Sequence, residues 1–273
     1  MQLHRIVAAT DGSPAGRQAV TVAAQLAGAN GARLDLITVV SKAQSGRPAF
    51  PAAFDIPPVA STEVVVAVGL PGVEIVRYAE RASADLIVLG RTSRPPAVRR
   101  LIGDTGDAVA RRSSITCLFV PEDHGPIGRV LAALDGTDRG SRVLRVAADF
   151  ARAFGGRFRA VTIEPPVTDG GVEPAGPVWG PRTTRLANLL EQARLQEPEL
   201  FGPWDGGSGS GRVALTVRIG QTVEAILDEL DHCGAGVLAV GHHRGGPAGD
   251  VEGGSVSRRL LHRATTAVLT VPL

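Results

Sequence analysis

Val237-Leu-Ala-Val-Gly-His-His-Arg-Gly-Gly-Pro-Ala-Gly-Asp-Val-Glu-Gly-Gly-Ser-Val-Ser257 is the stretch on which the reading of this chain turns. Val237–Val240 is apolar without a break, as a strand covered on both faces would be. Ser257–Arg263 reads as a helix, and the residues between are rich in glycine. A strand that runs into such a loop and ends at a helix start is a common phosphate cradle. Glycine lets the backbone come close, and the unpaired N–H groups of the helix N-terminus face the anion. The same frame occurs earlier as Gly90-Arg-Thr-Ser-Arg-Pro-Pro-Ala-Val-Arg-Arg-Leu-Ile-Gly103-Asp104-Thr105-Gly106, with different chemistry inside it.

Outward from these two frames the chain alternates strands and helices. His4–Ala9 is an apolar β run broken by Thr10-Asp11-Gly12-Ser13-Pro14, and Ala15–Ala29 has helical periodicity. Arg33–Val40 is the next strand. A Pro-rich connector over Ser41–Ser61 leads to strand Glu63–Val68, helix Pro71–Ala82 and strand Asp85–Leu89. A helix ending near Arg112 and a last strand, Thr116–Val120, close the first half at Pro121. The second half repeats the scheme. Asp135-Gly136-Thr137 follows Arg129–Leu134 at an offset of 124 from Asp11, and Gly156–Glu164 matches Ala32–Val40 at the same offset. Gly69, Gly90, Gly103 and Pro121 pair with Gly220, Gly241, Gly254 and Pro272, each at an offset of 151. Four landmarks sharing one offset identify an internal repeat. The 27 extra residues lie between the second and third strands of the second half, at about 165–211. That insert carries Trp179, Trp204 and an amphipathic stretch, Thr183–Gln196; its flanks, Glu173–Pro181 and Pro203–Gly211, are expected to be mobile. Two domains are expected, 1–122 and 128–273, joined by a short linker at Glu122–Gly128. Each is an α/β, Rossmann-like parallel sheet with helices on both faces.

Composition excludes several classes. With 273 residues, 44% hydrophobic and 21% charged, the chain resembles an ordinary globular protein with a large core. The net charge is +2 and the basic residues are dispersed, with 4% aromatic residues, which gives no footprint for nucleic acid. No apolar run approaches membrane-spanning length and no signal-type segment opens the chain, so a cytoplasmic protein without a membrane partner is expected. Cys117 and Cys233 lack ligand spacing and read as two buried free thiols. His242 and His243 have no third ligand and read as solvated loop side chains; no metal is expected. No nucleophile–base motif or Walker-type Gly-Lys-Ser/Thr is present, so no catalytic residue is assigned and an enzyme is not expected.

Three features resemble the universal stress protein family in its tandem form: the Asp-Gly-Ser/Thr turn after the first strand of each half, the Gly-x2-Gly-x9-Gly-Ser/Thr frame after the fourth, and a final Val-Pro strand. The resemblance covers nearly the whole chain outside the 165–211 insert. It implies two five-stranded parallel sheets in which the first and fourth strands are neighbours, with ligand in the crevice at their carboxyl ends. It also implies ATP or another adenine nucleotide as ligand. Asp11 and Asp135 would accept from ribose hydroxyls, and backbone at Val39 and Ile163 would meet the adenine. Gly90 and Gly103 in one half, and Val240, Gly241, His243, Arg244, Gly254, Ser255, Val256 and Ser257 in the other, would hold the phosphates. The halves would pair through Thr116–Val120 and Ala267–Val271 as a pseudo-dimer, with a homodimer of chains and an unidentified protein partner left open.

The two frames depart from that pattern unequally. In the second, Gly254-Ser255-Val256-Ser257 is complete, but Arg244 stands for the second glycine, and Asp250 and Glu252 add negative charge. Ser255 or Ser257 can donate to a phosphate or simply cap the helix. In the first, Ser93 replaces the second glycine and Asp104 the terminal Ser/Thr. A carboxylate there is a good helix cap and repels phosphate. Nucleotide binding is therefore expected in the second half ahead of the first, in a stress-response regulator or sensor. A nucleotide-free scaffold acting through protein contacts, and a slow ATPase or a binder of AMP or cyclic AMP, are the alternatives.

Overall fold

The apolar runs marked as strands all enter one sheet in the computed structural model, which describes residues 3–40, 62–91, 105–137, 139–164, 181–196, 198–201, 215–243 and 256–273. The first half comprises β1 (Arg5–Ala9), α1 (Pro14–Asn30), β2 (Arg33–Val40), β3 (Thr62–Val68), α2 (Pro71–Arg81), β4 (Leu86–Arg91), α3 (Thr105–Arg112) and β5 (Thr116–Pro121). The second comprises β6 (Arg129–Ala133), α4 (Gly140–Ala153), β7 (Arg157–Glu164), α5 (Pro181–Gln196), a 3-10 turn (Pro198–Phe201), β8 (Leu215–Ile219), α6 (Thr222–Cys233), β9 (Val237–His242), α7 (Val256–Arg263) and β10 (Ala267–Pro272). Local signals set the helix ends. Ser13 Oγ accepts from Gly16 N–H at 3.1 Å to start α1, Pro14 takes the first helical position, and Gly31 turns the chain out at φ 62°.

The strand order is β3-β2-β1-β4-β5-β10-β9-β6-β7-β8. Pairing is parallel within each half and antiparallel only where β5 meets β10. The inner strands are covered on both faces, which explains their nearly unbroken apolar runs: Ile6 and Ala8 of β1 enter one core, Val7 and Ala9 the other. One core takes Leu26 of α1, Phe150 of α4 and Leu186 and Leu190 of α5; the other takes Ile75 of α2, Val109 of α3, Leu230 of α6 and Leu260 of α7.

At the seam, Leu118 pairs directly with Leu269, its own counterpart at the repeat offset of 151, so a pseudo-two-fold axis passes through this pair. The linker is fixed, because Gln18 Nε2 of α1 lies 2.7 Å from His124 Nε2. Within the insert, α5 starts two residues before the expected Thr183. Thr183 Oγ1 donates to Glu164 Oε1, and Phe201 meets Phe158 edge-on at 5.5 Å between centroids. The insert flanks 173–180 and 203–211 lie outside the described residues, as do both tryptophans.

Two expectations need correction. Gly241 and His242 belong to β9 rather than to the loop, and His242 is 7% exposed instead of solvated. Of the thiols only Cys117 is buried, where burial pushes it up to about 12; Cys233, at the end of α6, is half-buried. No helix among the described residues is long and apolar enough to cross a membrane.

Candidate functional site

In each half the first and fourth strands are parallel neighbours, Ala9 beside Leu89 and Ala133 beside Val240. The chain leaves β1 and β6 toward helices on one face, and α3 and α7, which follow β4 and β9, lie on the other. Connections that diverge from adjacent parallel strands leave a crevice at their carboxyl ends. Asp11 and Asp135 stand at that crevice, one turn beyond β1 and β6.

The two aspartate turns share a geometry. Asp11 Oδ1 accepts from Ser13 N–H at 3.0 Å, and Asp135 Oδ1 accepts from Thr137 N–H at 3.0 Å and Thr137 Oγ1–H at 2.8 Å. The glycine between, Gly12 at φ 80° or Gly136 at φ 70°, makes the bend with a conformation that a side chain disfavours. One carboxylate oxygen thus holds the turn while the residue stays exposed, leaving the other oxygen as an outward acceptor. Two glycines that the sequence reading passed over make room for it. A Cβ on Gly16 would stand 2.9 Å from Asp11 Oδ1, and one on Gly140 3.0 Å from Asp135 Oδ1. They are 124 positions apart, the offset of the aspartates, and that repeat was the available signal.

The glycines after the fourth strands differ. Gly90 lies against the start of α1, where a Cβ would be 2.4 Å from Ala15 C and O, so packing alone requires glycine. Gly241 faces only side chains, Leu273 Cδ1 at 2.7 Å and Val143 Cγ2 at 3.2 Å. Val39 and Ile163 are half-buried near the ends of β2 and β7, whereas Val240 is buried in the core. Val256, the first residue of α7, is exposed. Ser257 points inward, its Oγ 3.1 Å from His242 Nδ1. Burial, then His243 and Arg111, hold His242 below the ordinary histidine range against the opposing pull of Asp107. Gly103, Arg244, Gly254 and Ser255 lie outside the described residues, together with Ser93, Asp104, Asp250 and Glu252.

The second half adds a residue absent from the sequence reading. Arg139, immediately before α4, places NH1 3.3 Å from Nδ1 of His243, immediately after β9. Both are exposed, and they bring a guanidinium and an imidazole together from the two sides of the crevice that Asp135 flanks. Position 15, the counterpart of Arg139, is alanine, so spacing against the repeat could have flagged it. A carboxylate acceptor with a guanidinium and an imidazole beside it can hold a polyhydroxylated anion, sugar to the acceptor and anion to the guanidinium. Among the described residues no three His, Cys, Asp or Glu side chains gather as metal ligands.

The model of the universal stress protein family matches residues 2–54, 52–121 and 126–272. Among solved structures, a universal stress protein from Archaeoglobus fulgidus DSM 4304 is 16% identical with a TM-score of 0.67, covering 100% of this chain and 99% of that one. A protein of unknown function from Pseudomonas aeruginosa PAO1 is also 16% identical, with a TM-score of 0.63 and coverage of 99% and 92%. A universal stress protein solved in complex with cAMP is 26% identical over 45% of this chain and 100% of its own, with a TM-score of 0.36. No curated protein matches the chain.

Proposed function

Because the chain belongs to the universal stress protein family, we propose that it is a cytoplasmic stress-response sensor that binds an adenine nucleotide in its second half and does not turn it over. The observation that carries this reading is the crevice at the ends of β6 and β9. There an exposed aspartate has one oxygen committed to its turn, and Arg139 and His243 meet on the same crevice. Asp135 takes the ribose hydroxyls, and Arg139 with His243 takes phosphate. The first half has the aspartate turn without the guanidinium, since Ala15 stands where Arg139 does. Its part in the protein is to pair with the second half.

The competing reading is a nucleotide-free scaffold. It is favoured by Ser257, whose hydroxyl is committed to His242 and buried. Mass spectrometry of small molecules released on denaturing the purified protein, with melting curves in the presence of ATP, decides between them. We expect a stoichiometric nucleotide and an upward melting shift. Asp135→Ala and Arg139→Ala should each weaken binding about tenfold, the equivalent of one lost charge-assisted hydrogen bond. An empty protein that ATP does not stabilise would leave the scaffold.

A further inference from the structure

Across the seam, α3 of the first half lies beside α7 of the second. Asp107 of α3, its side chain only 8% exposed, receives Arg258 of α7, with Nε and NH2 both 3.0 Å from Oδ2. His262 Nε2 lies 2.9 Å from Asp107 Oδ1, and Arg111 NH1 lies 3.6 Å from Oδ2. Burial would raise this carboxyl, but His262 and then Arg258 overcome it and hold it below the ordinary carboxylate value.

The positions are what matter. Asp107 and Arg258 are 151 residues apart, as are Arg111 and His262, and 151 is the repeat offset that pairs Leu118 with Leu269 on the axis. Asp107 and Arg258, equivalent positions of the two halves, therefore meet with opposite charge, while Arg111 and His262 both approach Asp107. Arg91 adds to the asymmetry. It crosses the seam and donates to the carbonyls of Leu261, Ala264 and Thr266 at 3.1, 2.7 and 2.9 Å, holding the C-terminal end of α7. Its counterpart at the same offset, His242, stays within its own half on Ser257.

We infer that this surface is selective for unlike halves: α3 of the first half accepts α7 of the second and rejects a second copy of either. Two first halves paired through β5 would put a second Asp107 where Arg258 stands, leaving these carboxylates only the arginines at position 111. Two second halves would oppose Arg258 and His262 to their own copies, with no arginine at position 242 to hold the end of α7. Both arrangements lose the opposed Asp107–Arg258 pair and set like residues at its place, which disfavours a wrong partner. Repeat-related domains in one cell are each other's most similar competitors for a sheet edge, and this charge arrangement separates them. The inference rests on the seam alone and stands whether or not the second half binds a nucleotide.

The test transposes the charges in the full-length chain. Arg258→Asp with His262→Arg gives the second half the first half's set, and Asp107→Arg with Arg111→His does the reverse. All four substitutions together exchange the sets across the axis. We expect each two-site variant to melt at least about 4 °C below the native chain, or to fail to fold, and the four-site variant to return to within about 2 °C of it. Two-site variants as stable as the native chain, or a four-site variant that melts as low as they do or does not fold, would overturn the inference.

Discussion

At position 242 an imidazole has replaced what the strand pattern would fill with an apolar side chain. One nitrogen, Nδ1, contacts Ser257 Oγ at 3.1 Å; the other, Nε2, is buried with no hydrogen-bond partner among the described residues. Burial and the neighbouring His243 and Arg111 depress its affinity for a proton. A histidine whose folded value is depressed contributes stability that is present above its unfolded value, about 6.5, and lost as pH falls below it. The unfolded chain then takes up a proton that the folded chain refuses. Urea midpoints at pH 7.5 and 5.5 should therefore drop further for the native protein than for His242→Gln, which keeps a polar group toward Ser257 without the titration. Equal drops would show that His242 is not held neutral by its surroundings. The same residue marks where the sequence misleads. Gly-His-His-Arg looks like loop chemistry, but the strand runs on through the first histidine, which is buried with its ring on Ser257 of α7.

The elements that form the crevice are held by close backbone approach, and here the two halves differ. β4 meets α1 so tightly that Gly90 has no room for a Cβ, whereas Gly241 is faced by the side chains of the terminal Leu273 and of Val143, which can shift. Gly90→Ala should destabilise the fold by roughly 1–3 kcal/mol, the usual cost of overpacking, and Gly241→Ala by less than about 1 kcal/mol. Urea unfolding of the two variants measures the contrast, and similar losses would refute it. Much of this scale was legible in the sequence. Strand and helix order followed from apolar periodicity, the repeat from glycine offsets, and the aspartate turns from Asp-Gly-Ser and Asp-Gly-Thr. The reason for Gly90 was not legible, because it lies in a helix 75 residues away and phosphate loops use glycine at the same place.

Over the whole molecule, the least legible feature is the contact between halves. The apolar runs 116–120 and 267–271 called for burial, and the family pattern supplied their pairing. The charged contacts of Asp107, Arg258 and Arg91 left no periodic trace, because they join residues at least 151 apart in sequence and exist only across the axis. Among the described residues the halves form one ten-stranded sheet, joined by the β5–β10 pairing, whose burial is greatest at its middle. Every residue of β5 and β10 is buried, while the outermost strands are partly open: Val64 is 51% exposed on β3 and Ile219 73% on β8. Local opening follows burial and contact, so exchange should begin at both edges and reach the seam last. Native-state hydrogen exchange should therefore give the amides of Leu118 and Leu269 the protection of global unfolding, with those of β3 and β8 exchanging first. Halves that unfolded independently would expose the seam whenever the weaker half opened, leaving the inner strands of the other half protected. Exchange at β5 and β10 ahead of β1 or β6 would mean that the covalent repeat is two folding units placed side by side. Protection that peaks at the seam would mean that the axis is the core of a single unit.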